Sequence, residues 1–253
     1  MVINSTITLR HKMNNSILTI PLANLSLAFV PVFIVLGILY KWSLKSHTAL
    51  YAVVRMLVQL ILVGYVLTYV FAIDSPFMVI IILTIMLTAS GFISLRSVSN
   101  RTRASYLHLL VAIGLGSLST LFFITGIVLE ISPWYLPQYL IPLAGMTIAS
   151  CMNSVSLAAE RYESEVHSGS DLMEARRTAM NACLIPNINT LFAVGIVSLP
   201  GMMTGQILSG VDPLIAVRYQ IVVMCMVFGC SGMTSACYLL IASHSKTENN
   251  SAI

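Results

Sequence analysis

Ser198-Leu199-Pro200-Gly201-Met202-Met203-Thr204-Gly205-Gln206-Ile207-Leu208-Ser209-Gly210-Val211-Asp212-Pro213 separates two long apolar runs. It is far richer in Gly, Pro, Ser, Thr and Gln than a lipid-facing helix. In hydrocarbon every unpaired backbone N–H or C=O costs several kcal/mol, so a broken helix survives there only against protein or a water-filled cavity. Two readings follow. Either the stretch lines something, or it is a plain helix-to-loop exit built from Gly and Pro.

Working outward, the chain reads as apolar segments near the ~20 residues that a membrane-spanning helix requires. They are Ala23–Tyr40, Ala49–Phe71, Phe77–Leu95, Ala104–Leu129, Leu136–Ala158, Pro186–Leu208 and Pro213–Ser243. None shows the alternating ten-residue pattern of a barrel strand. Composition agrees: 57% of the 253 residues are hydrophobic and 9% are charged, against about 25% charged in soluble domains. The expectation is an all-α, polytopic helical bundle with about seven transmembrane helices. A polar N-terminal tail (1–22) would precede the membrane domain (23–243), and a short tail (244–253) would follow it. Met1–Pro21 lacks an apolar core with a small-residue cleavage site, so no cleaved signal peptide is expected.

The net charge of +4 is spread over the connections, which argues for topology and against nucleic-acid binding. Lys41 and Lys45 lie in the first connection, Arg96, Arg101 and Arg103 in the third, Arg161, Arg176 and Arg177 in the fifth, and Lys246 in the tail. The second and fourth carry only Asp74 and Glu130. Odd connections and the C-terminus are therefore expected in the cytoplasm and the N-terminus outside, against a minor opposing signal from Arg10 and Lys12.

The long connection 159–185 is broken by Ser168-Gly169-Ser170-Asp171. Ser170 or Asp171 is a candidate N-cap, with Glu174 at capping-box spacing from Asp171. Leu172, Ala175, Ala179 and Leu184 then share one helical face, with Arg176 and Arg177 turned away. Such an amphipathic helix either docks a partner or lies on the membrane surface.

Catalytic signatures are missing. The sequence has no Gly-Lys-Ser or Gly-Lys-Thr phosphate loop and no H-E-x-x-H, so any ATP that drives this protein is bound by another chain. Gly114-Leu115-Gly116-Ser117 reads as helix packing. Cys151, Cys183, Cys225, Cys230 and Cys237 form no C-x-x-C pair and read as small buried residues. Polar residues at membrane depth stand out instead. Arg55 and Gln59 share a face of the second segment and either face the interior or snorkel. Asn153 with Ser150, Ser154 and Ser156 makes the fifth segment polar on one side, and Asn187 and Asn189 do so in the sixth. These serve interhelical hydrogen bonding or a substrate path. The fourteen methionines read as adaptable packing, because no Cys or His joins them at ligand spacing.

Three blocks carry a resemblance. They are Arg55-Met56-Leu57-Val58-Gln59-Leu60 with Gly64-Tyr65-Val66-Leu67, Ile141-Pro142-Leu143-Ala144-Gly145-Met146 followed by Asn153, and, most specifically, Val197–Ile207 continuing through Gly210-Val211-Asp212-Pro213 to Arg218–Met224. Over about residues 45–243 the chain is similar to the FetB/YbbM (UPF0014) permeases. The resemblance implies a membrane subunit of an ABC-type transporter in the bacterial inner membrane, associated with iron export and oxidative-stress resistance. A separate FetA-like ATPase would bind ATP-Mg, the permease would pair as a homodimer, and this chain would hold no cofactor or metal and do no catalysis. Plant relatives are linked to aluminium tolerance and nucleotide-sugar transport. On that reading Arg55, Gln59, Asn153, Pro200, Gly201, Met202, Met203, Gly205 and Gln206 are candidates for the translocation path or gate. Leu172, Glu174, Ala175 and Ala179 are candidates for the ATPase-coupling helix. One departure stands beside it: relatives carry a longer loop with a Leu-Gly-Ala-Thr-Pro-type turn where this chain has Ser-Gly-Ser-Asp. A membrane scaffold without transport activity is the rival class, and an ion-coupled transporter lacks the in-membrane carboxylate it would need.

Overall fold

The computed structural model describes residues 20–72 and 75–251, with side chains to residue 244. The expected polar leader, with its absence of a signal peptide, lies almost entirely outside the described residues. The chain forms two compact units: Met1–Ile73 with Leu208–Gly210, and Asp74–Ile207 with Val211–Ile253.

In the first unit a short helix, α1 (Leu22–Leu27), leads to α2 (Val30–Lys41), which has a proline in its first turn where the missing N–H costs nothing. Ser43 at φ 55° and a Leu44 N–H bond to the Leu39 carbonyl end α2 and turn the chain. The chain then enters α3 (Ser46–Ala72), which packs on α2. The most apolar stretches of this hairpin bury no residue.

The second unit holds α4 (Pro76–Ser94), α5 (Arg103–Phe123, extended by a π-helical turn over Ile124–Val128), α6 (Pro137–His167), α7 (Leu172–Ala193), α8 (Gly201–Leu208) and α9 (Pro213–Ser251). α6 packs on α4, α5, α7 and α9, while α9 packs on α5, α6 and α7. The helix starts are chemically marked. Thr102 Oγ1 accepts from Ser105 N–H at 3.1 Å, and Pro76 and Pro137 occupy first turns. At 1.5 Å per residue, the 31 residues of α6 and 39 of α9 run about 46 Å and 58 Å. Both exceed a hydrocarbon layer of about 30 Å. α9 continues helically through most of the stretch expected as a C-terminal tail.

Six helical stretches among the described residues are long and apolar enough to cross a membrane: Leu22–Lys41, Ser46–Phe71, Pro76–Ser97, Arg103–Val128, Pro137–His167 and Pro213–His244. They coincide with six of the seven expected segments. The exception is Pro186–Leu208, which is not one helix. α7 ends at Ala193, where the amide N–H groups of Ile196, Val197 and Ser198 converge on the Ala193 carbonyl at 3.2, 2.8 and 3.2 Å. Gly195 sits at φ +83°, a region that residues with a Cβ rarely adopt, and its N–H donates to the Ser198 carbonyl at 2.9 Å. Pro200 then has no N–H to continue the ladder and disfavours helix at Leu199.

Small residues line the closest helix contacts of the second unit, around a core filled by larger side chains such as Leu109, Ile113, Tyr162 and Met226. Ala112, Gly116 and Ser117 of α5, Ala144, Thr147, Cys151, Ala158 and Ala159 of α6, and Cys230, Ser231, Thr234 and Ser235 of α9 are buried. The closest approach is between α5 and α9: a Cβ on Gly116 would lie 1.9 Å from Thr234 Oγ1 and 3.0 Å from the Thr234 backbone N. Gly114 meets nothing closer than 3.6 Å. Gly116→Ala is therefore expected to cost about 1–3 kcal/mol, the range for overpacking, and to lower the melting temperature of the purified protein. Gly114→Ala is expected to be near neutral. Equal melting temperatures for the two variants would show that the α5–α9 contact is looser than described.

Candidate functional site

The short helix α8 sits at one end of the second unit. Thr204 N–H and Oγ1 both bond to the Pro200 carbonyl, at 3.0 and 3.1 Å, which closes its first turn. Its last turn closes through Val211 N–H to the Gln206 carbonyl at 3.0 Å, with Gly210 at φ +89°. Asp212 Oδ1 then accepts from Leu214 N–H at 2.8 Å and starts α9.

Between α8, the start of α6 and the start of α9 lies a cavity of about 190 Å³. Its polar lining is Gln138 and Tyr139 of α6, Gln206 of α8 and Tyr219 of α9; Met202, Val222 and Val223 supply apolar wall. An adjoining hollow of about 180 Å³ shares Leu129, Tyr139 and Tyr219 and adds Ser132. Pro142 also faces the first cavity, and its missing N–H leaves the Gln138 carbonyl without its usual i+4 donor. Gln206 Oε1 is buried with no hydrogen-bond partner among the described residues. A buried acceptor without a donor is costly, so this wall is suited to a water or to a ligand carrying an N–H or O–H. The site holds amide, phenol and thioether groups and no carboxylate.

The residues singled out from sequence do not converge on one place. Met202 and Gln206 meet at this cavity. Met203 is half-buried and is not among its lining residues, and Pro200 acts through its carbonyl. Gly201 and Gly205 face open space, so neither exists for close helix approach; in the opening stretch only Gly210, at positive φ, needs to be glycine. Arg55 and Gln59 belong to the first unit, half-buried and exposed respectively. Asn153 is exposed on α6. Its neighbour Ser154 makes the interhelical bond, accepting from Asn187 Nδ2 at 3.0 Å. Sequence reasoning did not assign Gln138, Tyr139 or Tyr219 to the site. Pro142 and Tyr219 lie inside the blocks that carry the family resemblance, but nothing in their spacing pairs them across about eighty residues.

The opposite end of the unit carries the charge. α6 ends at Ser168 with Gly169 N–H on the Val166 carbonyl and Ser170 N–H on the Glu165 carbonyl. Asp171 Oδ2 then accepts from Met173 N–H at 3.1 Å to start α7. Glu165 pairs with Arg161 at 2.6 Å and accepts from Ser170 Oγ, while Glu163 accepts from Ser99 N–H and Oγ at 2.8 and 2.6 Å. The expected break at 168–171 is present, and of the two N-cap candidates, Ser170 and Asp171, it is Asp171 that caps α7.

The fate of the amphipathic face differs from either expectation. Ala175 and Ala179 are completely buried, Cys183 nearly so, and Leu172 and Leu184 pack on the same core. α6 and α9 cover this face, so it neither lies on the membrane nor remains open for a partner. Of the coupling-helix candidates, Glu174 is exposed and Leu172 is part-covered. α7 is also longer than expected: the stretch 172–184 and the start of the sixth apolar segment form one helix through Pro186.

Comparison with known proteins places this architecture. Residues 22–246 match the family described as "Uncharacterised protein family (UPF0014)". A UPF0014 membrane protein of Synechocystis sp. is 38% identical over 206 residues, covering 75% of this chain and 80% of that protein. The "Probable iron export permease protein FetB" of Escherichia coli is 31% identical over 239 residues, covering 86% and 90%. "Protein ALUMINUM SENSITIVE 3" of Arabidopsis thaliana is 27% identical over 225 residues, covering 83% and 81%. No solved structure matches the chain.

Because the face of α7 is internal, Ala175→Asp and Ala179→Asp are expected to act on folding. Each places a carboxylate against apolar helix, at a cost of about 3–5 kcal/mol if it stays charged and unpaired. Membrane yield and melting temperature should both fall. A variant with wild-type yield and stability would mean that α7 stands away from α6 and α9.

Proposed function

Because this chain belongs to the UPF0014 family, we propose that this multi-pass membrane protein is the permease subunit of an ATP-driven exporter of the bacterial inner membrane, with iron as its cargo. The similarity to a protein named as a probable iron export permease, over most of both chains, carries this reading. A separate cytoplasmic ATPase supplies ATP-Mg chemistry, and two copies of the permease pair around the path. The six long helices and the broken α7–α8 element together make seven crossings. The Lys and Arg distribution puts the N-terminus outside and the charged end of the second unit in the cytoplasm.

The geometry supports a route for coupling. α7 begins beside the charged turn at 168–171, is wedged through Ala175, Ala179 and Cys183 into the core, and continues toward the turn that carries α8. A push on its first turn travels along a packed rod to the segment bearing Met202 and Gln206. Alternating access then needs only that nucleotide and cargo bind the two end states with different affinities. In this orientation the cavity lies on the outer side, which makes α8 a gate or exit wall.

The cavity chemistry bears on the form of the cargo. Amide and phenol oxygens with a thioether suit an uncharged or chelated species better than a bare divalent ion, which would favour carboxylates. Among the described residues no group of three or more His, Cys, Asp and Glu is gathered. The second reading, export of another metal or of an organic cargo such as a nucleotide-sugar, is favoured by that uncharged lining and, for metals, by the relative named for aluminium sensitivity.

Two measurements test this. Expressed with a FetA-like ATPase, the chain is expected to co-purify with it and to lower cellular iron under iron load. Failure to co-purify with any Walker-A ATPase would leave the scaffold reading. In the reconstituted complex, Gln206→Ala combined with Met202→Ala is expected to reduce cargo-stimulated ATPase activity about tenfold, the loss of roughly 1.4 kcal/mol of contact, with co-purification unchanged. Unaltered stimulation would remove the cavity from the path.

A further inference from the structure

At the charged end of the second unit, α7 and α9 leave an open groove of about 250 Å³. Its floor is apolar, made by Met180 of α7 and Ala236, Leu239 and Leu240 of α9, and Arg176 and Arg177 stand at its edge. Two features mark it as unfinished. The first is the state of the arginines. Arg176 Nη2 lies 2.9 Å from the Met173 thioether, a weak acceptor for a guanidinium. Among the described residues neither arginine forms an ion pair. The nearby carboxylates are engaged elsewhere: Glu163 holds Ser99, Glu165 holds Arg161 and Ser170, and Asp171 caps α7. Glu174 is exposed and pairs with neither. The second feature is depth. Leu240 lies 27 residues beyond the start of α9 at Pro213, which is about 40 Å along the helix. A bilayer with its headgroups is about 40–45 Å thick. A helix entering at one surface therefore brings this groove to the headgroup layer of the other. Leu240 is 58% exposed there, and Met173 49%.

We propose that this groove is a binding site for an anionic phospholipid. Arg176 and Arg177 hold the headgroup phosphate through charge-assisted hydrogen bonds, and an acyl chain lies over Met180 and Leu240. Unpaired guanidinium groups match a phosphate, the apolar floor matches a chain, and basic pockets between transmembrane helices are a known form of lipid-headgroup site. A soluble partner would have to cover the exposed Leu240 at headgroup depth, where lipid already is. The site stands independently of the cargo and of the ATPase, because it rests only on the chain being a membrane protein.

The test is native mass spectrometry of the full-length protein exchanged into micelles containing equal phosphatidylglycerol and phosphatidylcholine. Wild type is expected to retain one phosphatidylglycerol per chain in preference to phosphatidylcholine. R176Q/R177Q is expected to reduce that preference roughly tenfold or more, while R161Q leaves it unchanged and R176K/R177K keeps part of it. L240Q is expected to weaken phosphatidylglycerol retention without altering any effect of inorganic phosphate. Should the double variant lose its wild-type melting transition, R177Q alone carries the comparison, since Arg177 is exposed. Equal retention of the two lipids by wild type, or equal phosphatidylglycerol retention by R161Q and R176Q/R177Q, overturns the proposal. So does competition by inorganic phosphate that matches phosphatidylglycerol, which would make this a free-anion site. Loss of ATPase co-purification with lipid retention intact would assign the groove to the ATPase instead.

Discussion

The contact of Gly116 with Thr234 is the constraint on which the second unit depends. Lipid tails are as apolar as Leu, so burying apolar side chains between helices gains little in a membrane. Cohesion has to come from close van der Waals packing and interhelical polar contacts, which demand small residues. α5, α6, α7 and α9 approach one another at Gly, Ala, Ser, Thr and Cys positions, with larger side chains such as Leu109, Ile113, Val155, Tyr162 and Met226 filling the core between them. Asn187 to Ser154 and Cys230 to the Thr147 carbonyl add polar links between helices. Large residues such as Phe122, Phe192 and Leu240 point outward, where lipid accepts them.

That packing fixes α7 within the unit. Its buried stripe of Ala175, Ala179 and Cys183 recurs every four residues and locks it between α6 and α9. One end is pinned by a capped turn whose carboxylates are all engaged. The other end unwinds at Gly195 and Pro200, where the chain gains the freedom to reverse and form α8.

Much of this was legible beforehand, for identifiable reasons. Six of the seven segments follow from hydropathy, because an exposed backbone or a run of charges is intolerable in hydrocarbon, but α6 and α9 continue as helix past the expected ends at Ala158 and Ser243. The N-cap at Asp171 and the break at Gly169 follow from local hydrogen-bond chemistry. Pro186–Leu208 read as a span because its residues are apolar on average, yet Gly195 and Pro200 decide the local backbone and average hydropathy ignores them. The amphipathic face of 172–184 was read correctly as a face. Its covering was not, because periodicity says that a surface is apolar and not what lies upon it. The site was half visible: Met202 and Gln206 were in view, whereas Gln138, Tyr139 and Tyr219 reach them only because α6 and α9 run parallel, with both helix starts at the α8 end.

The sequence by itself determined the solvent, the class of fold and the presence of a broken element in Ser198–Pro213, since each depends on the energy of a residue with its immediate neighbours or with lipid. Only the tertiary structure decided which side of each helix is covered, which glycine of Gly114, Gly116, Gly201 and Gly205 is a true contact, and which polar groups share a cavity. Those depend on helix rotation and register, set by many small packing energies at once. The stretch Ser198–Pro213 shows both halves. Its chemistry announces a broken element, and only the placement of α6 and α9 beside it turns Met202 and Gln206 into the wall of a cavity.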